Sequence, residues 1–333
     1  MRAAFYDKLG PAKEVLQVGN LPDPAVGPGE VRVRIHASGV NPTDTKRRSG
    51  WAGSSMGEFA RIIPHQDGAG VIDLVGPGVS QTRLGERVWI YEAQWGRAGG
   101  TAADWVVVPA DNAVPLPDGI SFAVGACLGI AAMTAHRCLF ADGALQGQWV
   151  LVQGGAGAVG LAAILLAKWA GARVATTVSR EEQANIVRQA GADLIINRKT
   201  EDIAARVLEA TAGAGVTRIV DVALPENIDI DLACIATNGA ITAYAADSAS
   251  ASITLPFRSA LYKGAVIRFV LVYHMPRQAH LDAVRDINSA LAAGVYQPVI
   301  ALRLPLDKIA EAHDAQDSGN IIGKIIIEIP VEN

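Results

Sequence analysis

The segment WVLVQGGAGAVGLAAILLAKWA, residues 149–170, constrains the fold more than any other stretch of the chain. An apolar run turns directly into GGAGAVG, and Gly155, Gly157 and Gly160 satisfy GxGxxG where a second apolar run, 158–170, opens. In a strand–turn–helix of this kind the first glycine permits the tight turn. The second lets a pyrophosphate approach the backbone, and the third lets helix and strand pack closely. Gly155, Ala156, Gly157, Ala158, Val159 and Gly160 are therefore expected to cradle a dinucleotide, with its phosphates facing the amides of a helix N-terminus.

The same rhythm continues beyond residue 170. RVATTV precedes EEQANIVRQA, LII precedes EDIAARVLEATA, RIVDVA precedes the segment 226–236, and AITAYA comes next. Five such βα-type units predict a doubly wound parallel sheet. Before residue 120 the pattern is different: VRVRIHASGV (31–40), GVIDLVG (70–76), ERVWIYEA (86–93) and ADWVVVP (103–109), punctuated by Gly and Pro, predict a mainly β, barrel-like unit. The closing GKIIIEIP is expected to pair back with that unit. The fold class is thus α/β, a Rossmann sheet inserted in a split β catalytic domain, divided as 1–124, 125–267 and 268–333.

A chain of 333 residues is long enough for two cores. A net charge of −4 without a basic cluster argues against nucleic acid or an anionic membrane as partner. The apolar stretches 121–135 and 158–170 fall short of the roughly 18–20 residues that span a bilayer, so both are expected as buried helices. MRAAFYDKLGP lacks the apolar region of a secretory signal, and Cys127, Cys138 and Cys234 form neither a CxxC pair nor a zinc-ligand spacing. Reduced thiols in the cytoplasm are the expectation.

A site for NAD would place Asp or Glu at the end of the second strand, against the ribose hydroxyls. Here RVATTV leads into Ser179 and Arg180, which suit a 2′-phosphate, and Arg198 after LIIN supplies a second cation. NADPH is the expected cofactor, although Glu181 and Glu182 leave a ribose contact open.

HASGVNPTDTKRRSG, IPHQDGAGVI, LGERVWI, ACLGIAAMTAHRCL, GGAGAVGLAA, QAGADLIINRKTED and GKIII together resemble the zinc-independent quinone oxidoreductases of the zeta-crystallin type, within the medium-chain dehydrogenase/reductase superfamily. The resemblance implies a GroES-like catalytic domain around the Rossmann domain. Zinc-dependent relatives carry ligands where this chain has Asn41, Gln66 and Ile130, so no metal is expected. It also implies that Asn41 approaches the nicotinamide or the acceptor and that Thr134 lies near the nicotinamide half. Ala223, Leu224, Tyr244 and Ala245 are implied to line the nicotinamide end, with Phe269, Val270 and Leu271 beside the carboxamide and Asn320 and Lys324 also contacting cofactor.

Lys46 and Ala52 stand where such relatives commonly carry Tyr. Lys46 could orient an acceptor or donate a proton through water, or be a solvated charge on a short helix. Trp51, Trp95 and Tyr244 are expected as an apolar wall. Hydride transfer to a quinone-like small-molecule electron acceptor is the implied reaction. Reduction of the C=C of an enone or enoyl thioester, or NADPH binding without turnover, are alternatives. AVIRFVLVY (265–273) is expected at the edge of the nucleotide sheet, where, as in relatives, it would join a homodimer.

Overall fold

The computed structural model describes residues 1–246 and 248–330. It contains two compact units, one formed by Met1–Ala131 with the chain from Pro298 onward, the other by Ala132–Gln297.

The first unit opens with β1 (Arg2–Phe5), α1 (Ala12–Val15) and β2 (Gln17–Asn20), the two strands pairing antiparallel. β3 (Glu30–Val40) follows and runs into α2 (Pro42–Ser49). Then come β4 (Asp67–Val75), β5 (Arg87–Ile90), β6 (Trp105–Pro109), β7 (Ala113–Pro115) and α3 (Phe122–Gly125). β3 is the hub, pairing antiparallel with both β4 and β6. Its residues alternate between buried and half-buried up to Ala37, as a strand with one face on a core requires. Val31, Val33 and Ile35 enter that core with Ile72, Val88, Ile90, Val106 and Val108.

Residues 121–135 do not form the single helix expected. α3 stops at Gly125, a π-helical turn covers Leu128–Ala132, and a new helix starts at Met133. A side chain at Gly129 would lie 2.2 Å from Oδ1 of Asp67, and the next amide, Ile130 N–H, donates to that oxygen at 2.9 Å. The backbone is drawn out of helical register where it meets a buried carboxylate, a setting in which π-turns recur.

The second unit carries α4 (Met133–Phe140), β8 (Trp149–Val152), α5 (Ala158–Trp169), β9 (Arg173–Val178), α6 (Glu181–Gln189), β10 (Leu194–Asn197) and α7 (Ile203–Ala210). It continues with β11 (Val216–Asp221), α8 (Leu224–Cys234), β12 (Ile235–Ala243), α9 (Phe257–Lys263), β13 (Val266–Phe269) and α10 (Arg277–Ala292). The six strands are all parallel in the order β10-β9-β8-β11-β12-β13. Counted from β8 this is the doubly wound order 3-2-1-4-5-6. α5 is buried from Gly160 to Ala167, so its all-round apolar character reflects a helix covered on every side.

β13 is the edge strand, but it is short, and Val272–His274 form a 3₁₀ turn where the apolar run suggested strand. The expected boundary at 267/268 is displaced to 297/298 because α10 packs on α4 and α5. The first boundary falls at 131/132 rather than 124/125, after the segment that meets Asp67.

The chain returns to the first unit with β14 (Ile300–Pro305), α11 (Ile309–Asp317) and β15 (Lys324–Glu328). β15 pairs parallel with β14 and antiparallel with β3, completing a seven-stranded sheet. Ile325 and Ile327 enter the core of that unit. Among the described residues no helix is long and apolar enough to cross a membrane.

Candidate active site

In the second unit, the chain leaving β8 takes a positive φ of 70° at Gly154. A side chain at Gly160 would come within 2.5 Å of the Gly154 carbonyl, which is why the third glycine of the motif is needed. Gly157, the N-cap of α5, is exposed and has no foreign atom nearer than 3.6 Å to the place a Cβ would occupy. A helix N-terminus with open space over its glycine fits a pyrophosphate. Ala156 is buried beneath it, and Ala158 and Val159 begin the helix.

β9 and β10 end side by side, Val178 opposite Asn197, and Arg198 N–H donates to the Val178 carbonyl at 2.9 Å. Ser179, Arg180 and Arg198 therefore emerge together at the C-terminal edge of the sheet. Both arginines are exposed, and Ser179 Oγ donates to Gln183 Oε1 at 3.0 Å. Glu181 and Glu182 occupy the first turn of α6 and point to solvent, as carboxylates at a helix N-terminus commonly do.

Further along the same edge, Ala223 caps α8, Leu224 is buried, and Tyr244 N–H donates to the Asp221 carbonyl at 3.2 Å. Burial, then Cys138 and Asp221 nearby, hold the Tyr244 phenol above its ordinary range. Thr134 is buried on α4 and Ala245 is exposed. Val270 is buried, whereas Phe269 and Leu271 are 69% and 51% exposed and lie along the sheet edge at β13.

In the first unit, Asn41 caps α2 and lies within a buried polar cluster. Its Nδ2 donates to Asp67 Oδ2 at 2.9 Å, and its Oδ1 accepts from Lys324 Nζ at 2.6 Å. Lys324 also reaches Asp67 Oδ2 at 3.2 Å, while Ile130 N–H holds the other Asp67 oxygen. Asn41, Asp67 and Lys324 are each no more than 3% exposed. Such a pair persists away from water because Asn41 bonds to both charges and Ile130 N–H to the second carboxylate oxygen.

Asp44 completes the α2 capping box by accepting from Asn41 N–H at 2.8 Å. Its Oδ1 is buried without a partner. Burial first, and Asp67 second, push this carboxyl up to about 7. Lys46, two residues on, lays its ammonium 4.1 Å from the centre of the Trp51 ring, so two expected site residues meet each other. Trp95 is 44% exposed, and Asn320 is also exposed.

Gln66, another implied ligand position, accepts from Gln94 N–H at 3.0 Å. Its neighbour His65 adopts φ 80°, uncommon for a side-chain-bearing residue. The strain is offset by bonds from both ring nitrogens: Nδ1 to Ser38 Oγ at 2.7 Å and Nε2 to His313 Nε2 at 2.9 Å. Ser38 continues to Thr101, which donates to the Asp67 carbonyl at 2.5 Å. Burial drives both imidazoles down, His313 to about 3. Asp44, Asp67, His313 and the Asp221 side chain were not singled out from sequence. Asp67 had a signal, an acid opening an apolar strand beside Gln66.

Residues 27–118 match the alcohol dehydrogenase GroES-like domain, and residues 158–288 match the zinc-binding dehydrogenase family. The rat quinone oxidoreductase is 31% identical over 98% of this chain and 97% of its own length. The chain is a quinone oxidoreductase-like member of the medium-chain dehydrogenase/reductase superfamily. This quinone oxidoreductase-like chain is also 30% identical to a 2-haloacrylate reductase from a Burkholderia species, over 98% of both. The structure of the Escherichia coli quinone oxidoreductase complexed with NADPH superposes with TM-score 0.84 at 25% identity, covering 99% of this chain and 100% of that one.

Proposed function

We propose that the protein is a zinc-independent oxidoreductase that uses NADPH to reduce a quinone-like, conjugated small-molecule acceptor. The observation that carries this reading is Lys324, whose ammonium is held by Asn41 and Asp67 among the positions implied to bear zinc ligands. A lysine there supplies the positive charge that a metal would otherwise bring. NADPH fits the open glycine loop and the Ser179, Arg180 and Arg198 group, and it is the ligand of the E. coli relative. When bound, it supplies the hydride.

The chain's own residues would position and polarise. The glycine loop holds the pyrophosphate on helix amides, and the two arginines pair with the 2′-phosphate. An ammonium has three donors, and the bonds to Asn41 and Asp67 engage two of them. The third can donate to a carbonyl oxygen of the acceptor, which gains negative charge as hydride arrives. Asn41 fixes the direction of that donor, and Asp67 is its counter-charge.

The Burkholderia 2-haloacrylate reductase favours a second reading, in which the reduced bond is the C=C of an α,β-unsaturated carbonyl. Stopped-flow oxidation of bound NADPH against quinones, enones and 2-haloacrylate, with product analysis, separates the two. A hydroquinone supports the first and a saturated carbonyl the second. Binding without oxidation by any acceptor would leave only an NADPH-binding role. Loss of activity on chelation, restored by zinc, would overturn the metal-free reading.

A homodimer joined at β13 belongs to this proposal. That edge strand and the adjoining α9 expose Phe257 (72%), Leu261 (64%), Tyr262 (71%) and Phe269 (69%), an apolar strip beside unpaired strand hydrogen bonds. Light scattering that finds a monomer at micromolar concentration would refute it. A cytoplasmic setting accords with three cysteines that are buried and free.

A further inference from the structure

Beneath the glycine loop lies a buried polar network to which the proposed reaction assigns no role. Asp221 ends β11 and Asp231 lies on α8; both are 0% exposed, and Gln153, whose side chain bonds to Asp231, sits beside the end of β11 with its N–H on the Val220 carbonyl. Two carboxyls buried in one polar network resist ionising together, and a single proton held between them would relieve both.

The surrounding bonds locate it. Asp221 Oδ1 accepts from Ala223 N–H at 2.6 Å and from Asn227 Nδ2 at 3.0 Å. Asp231 Oδ1 accepts from Gln153 Nε2 at 3.0 Å. Asp221 Oδ2 and Asp231 Oδ2 are both buried with no hydrogen-bond partner, and a proton placed between them would satisfy both. Asp221 thus has two donors on its other oxygen and Asp231 one. Burial, and then Asp221, hold the Asp231 carboxyl well above the usual carboxylate range.

The network has a direction. Because Gln153 donates to Asp231 with its nitrogen, its Oε1 accepts from Thr177 Oγ1 at 3.0 Å. Thr177 Oγ1 in turn accepts from Gly154 N–H at 2.9 Å. One end is therefore the amide that opens the glycine loop, and the other is the amide that caps α8. We propose that the proton shared by Asp221 and Asp231 is a positioning element for the cofactor, fixing the Gly154 and Ala223 segments of the nucleotide unit in mutual register. This rests on reading the glycine loop as the dinucleotide site.

Other titratable groups face the pair. Cys234 on α8 feels Asp231 and is pushed up to about 12, chiefly by burial, with Lys263 of α9 acting the other way. Lys263 itself donates to the Ile235 carbonyl at 2.6 Å. Tyr244 is raised as well, chiefly by burial, then by Cys138 of α4 and by Asp221. Burial thus keeps thiol and phenol neutral well into the alkaline range.

Asp231→Asn is the decisive variant, since an amide can donate to Asp221 and accept from Gln153 as the protonated acid does. Wild type should lose about tenfold in NADPH affinity as pH rises from acid to alkaline, read by fluorescence titration. Asp231→Asn should bind about as tightly as wild type at the lower pH and lack the alkaline loss. Asp231→Ala should be about tenfold weaker at both. Thermal unfolding gives a reading independent of cofactor: wild-type stability should decline with rising pH, because the folded state holds the extra proton, and Asp231→Asn should flatten the decline. An unchanged stability profile in Asp231→Asn would overturn the shared proton. A flattened profile with unaltered pH dependence of binding would overturn its positioning role. Failure of the wild-type chain to bind NADPH would instead refute the dinucleotide reading, and the cofactor role of the network with it.

Discussion

Lys324 Nζ donates to Oδ1 of Asn41 at 2.6 Å across 283 positions of sequence, so the first loop after β3 and the first residue of β15 form one polar group. If that ammonium polarises the acceptor, Lys324→Met should lower kcat by about 100-fold or more, on the scale of removing one well-placed donor. The same change leaves Asp67 buried and unpaired, which costs about 3–5 kcal/mol. The double variant Lys324→Met with Asp67→Asn should recover much of the stability and none of the activity. Thermal unfolding and steady-state rates on the same preparations distinguish the two effects.

Arg180 and Arg198 leave neighbouring strand ends where a 2′-phosphate would bind. Arg180→Ala should weaken NADPH about tenfold, or about 1.4 kcal/mol, and leave NADH nearly unchanged. Titration with both nucleotides checks it. An equal loss for both would assign Arg180 to the surface rather than to the phosphate.

His65 and His313 are kept neutral by burial, and their folded values lie below the ordinary imidazole value. Between about pH 6.5 and the folded values the unfolded chain therefore binds more protons. Stability should fall as pH drops through that window, by up to about 1.4 kcal/mol per pH unit for each ring. His65→Gly keeps the backbone with positive φ and removes one titrating ring, so the acid slope should be roughly halved. Urea unfolding at several acidic pH values measures the slope directly, and an unchanged slope would show that the pair is not its source.

Asp44 carries the opposite sign. Its folded value is raised to about 7, so its contribution is full below the ordinary carboxylate range and is lost as pH rises towards 7. Asp44→Asn should therefore gain on wild type as pH increases over that interval, by as much as a few kcal/mol at about 1.4 kcal/mol per unit. Its amide oxygen can still accept from Asn41 N–H, so the α2 cap should survive. A constant difference across pH would mean that Asp44 is already charged at low pH.

The nucleotide unit was largely legible because its signals are local. A strand, a glycine turn and a helix succeed one another within residues 149–169, and each later βα pair repeats the pattern. The return of residues 324–328 to β3 also followed from a short apolar strand with no other place to pair. The polar cluster was not legible, since Asn41, Asp67, Ile130 and Lys324 meet only through tertiary structure. The same carboxylate explains the misread helix: nothing in the periodicity of 121–135 signals that Gly129 must lie against Asp67. The unit on which α10 packs is likewise not encoded in the helical period of its residues.

Because Lys324 opens the last strand, the order of synthesis matters. During translation from the N-terminus, Asp67 and the whole of β3 leave the ribosome long before the counter-charge that lets the carboxylate be buried. β15 also supplies the strand between β3 and β14, so the β unit cannot close its sheet or neutralise its interior until residues 324–328 emerge. A chain released before residue 324 would expose an open strand edge and an uncompensated acid together, the features by which quality control can tell an unfinished molecule from a finished one.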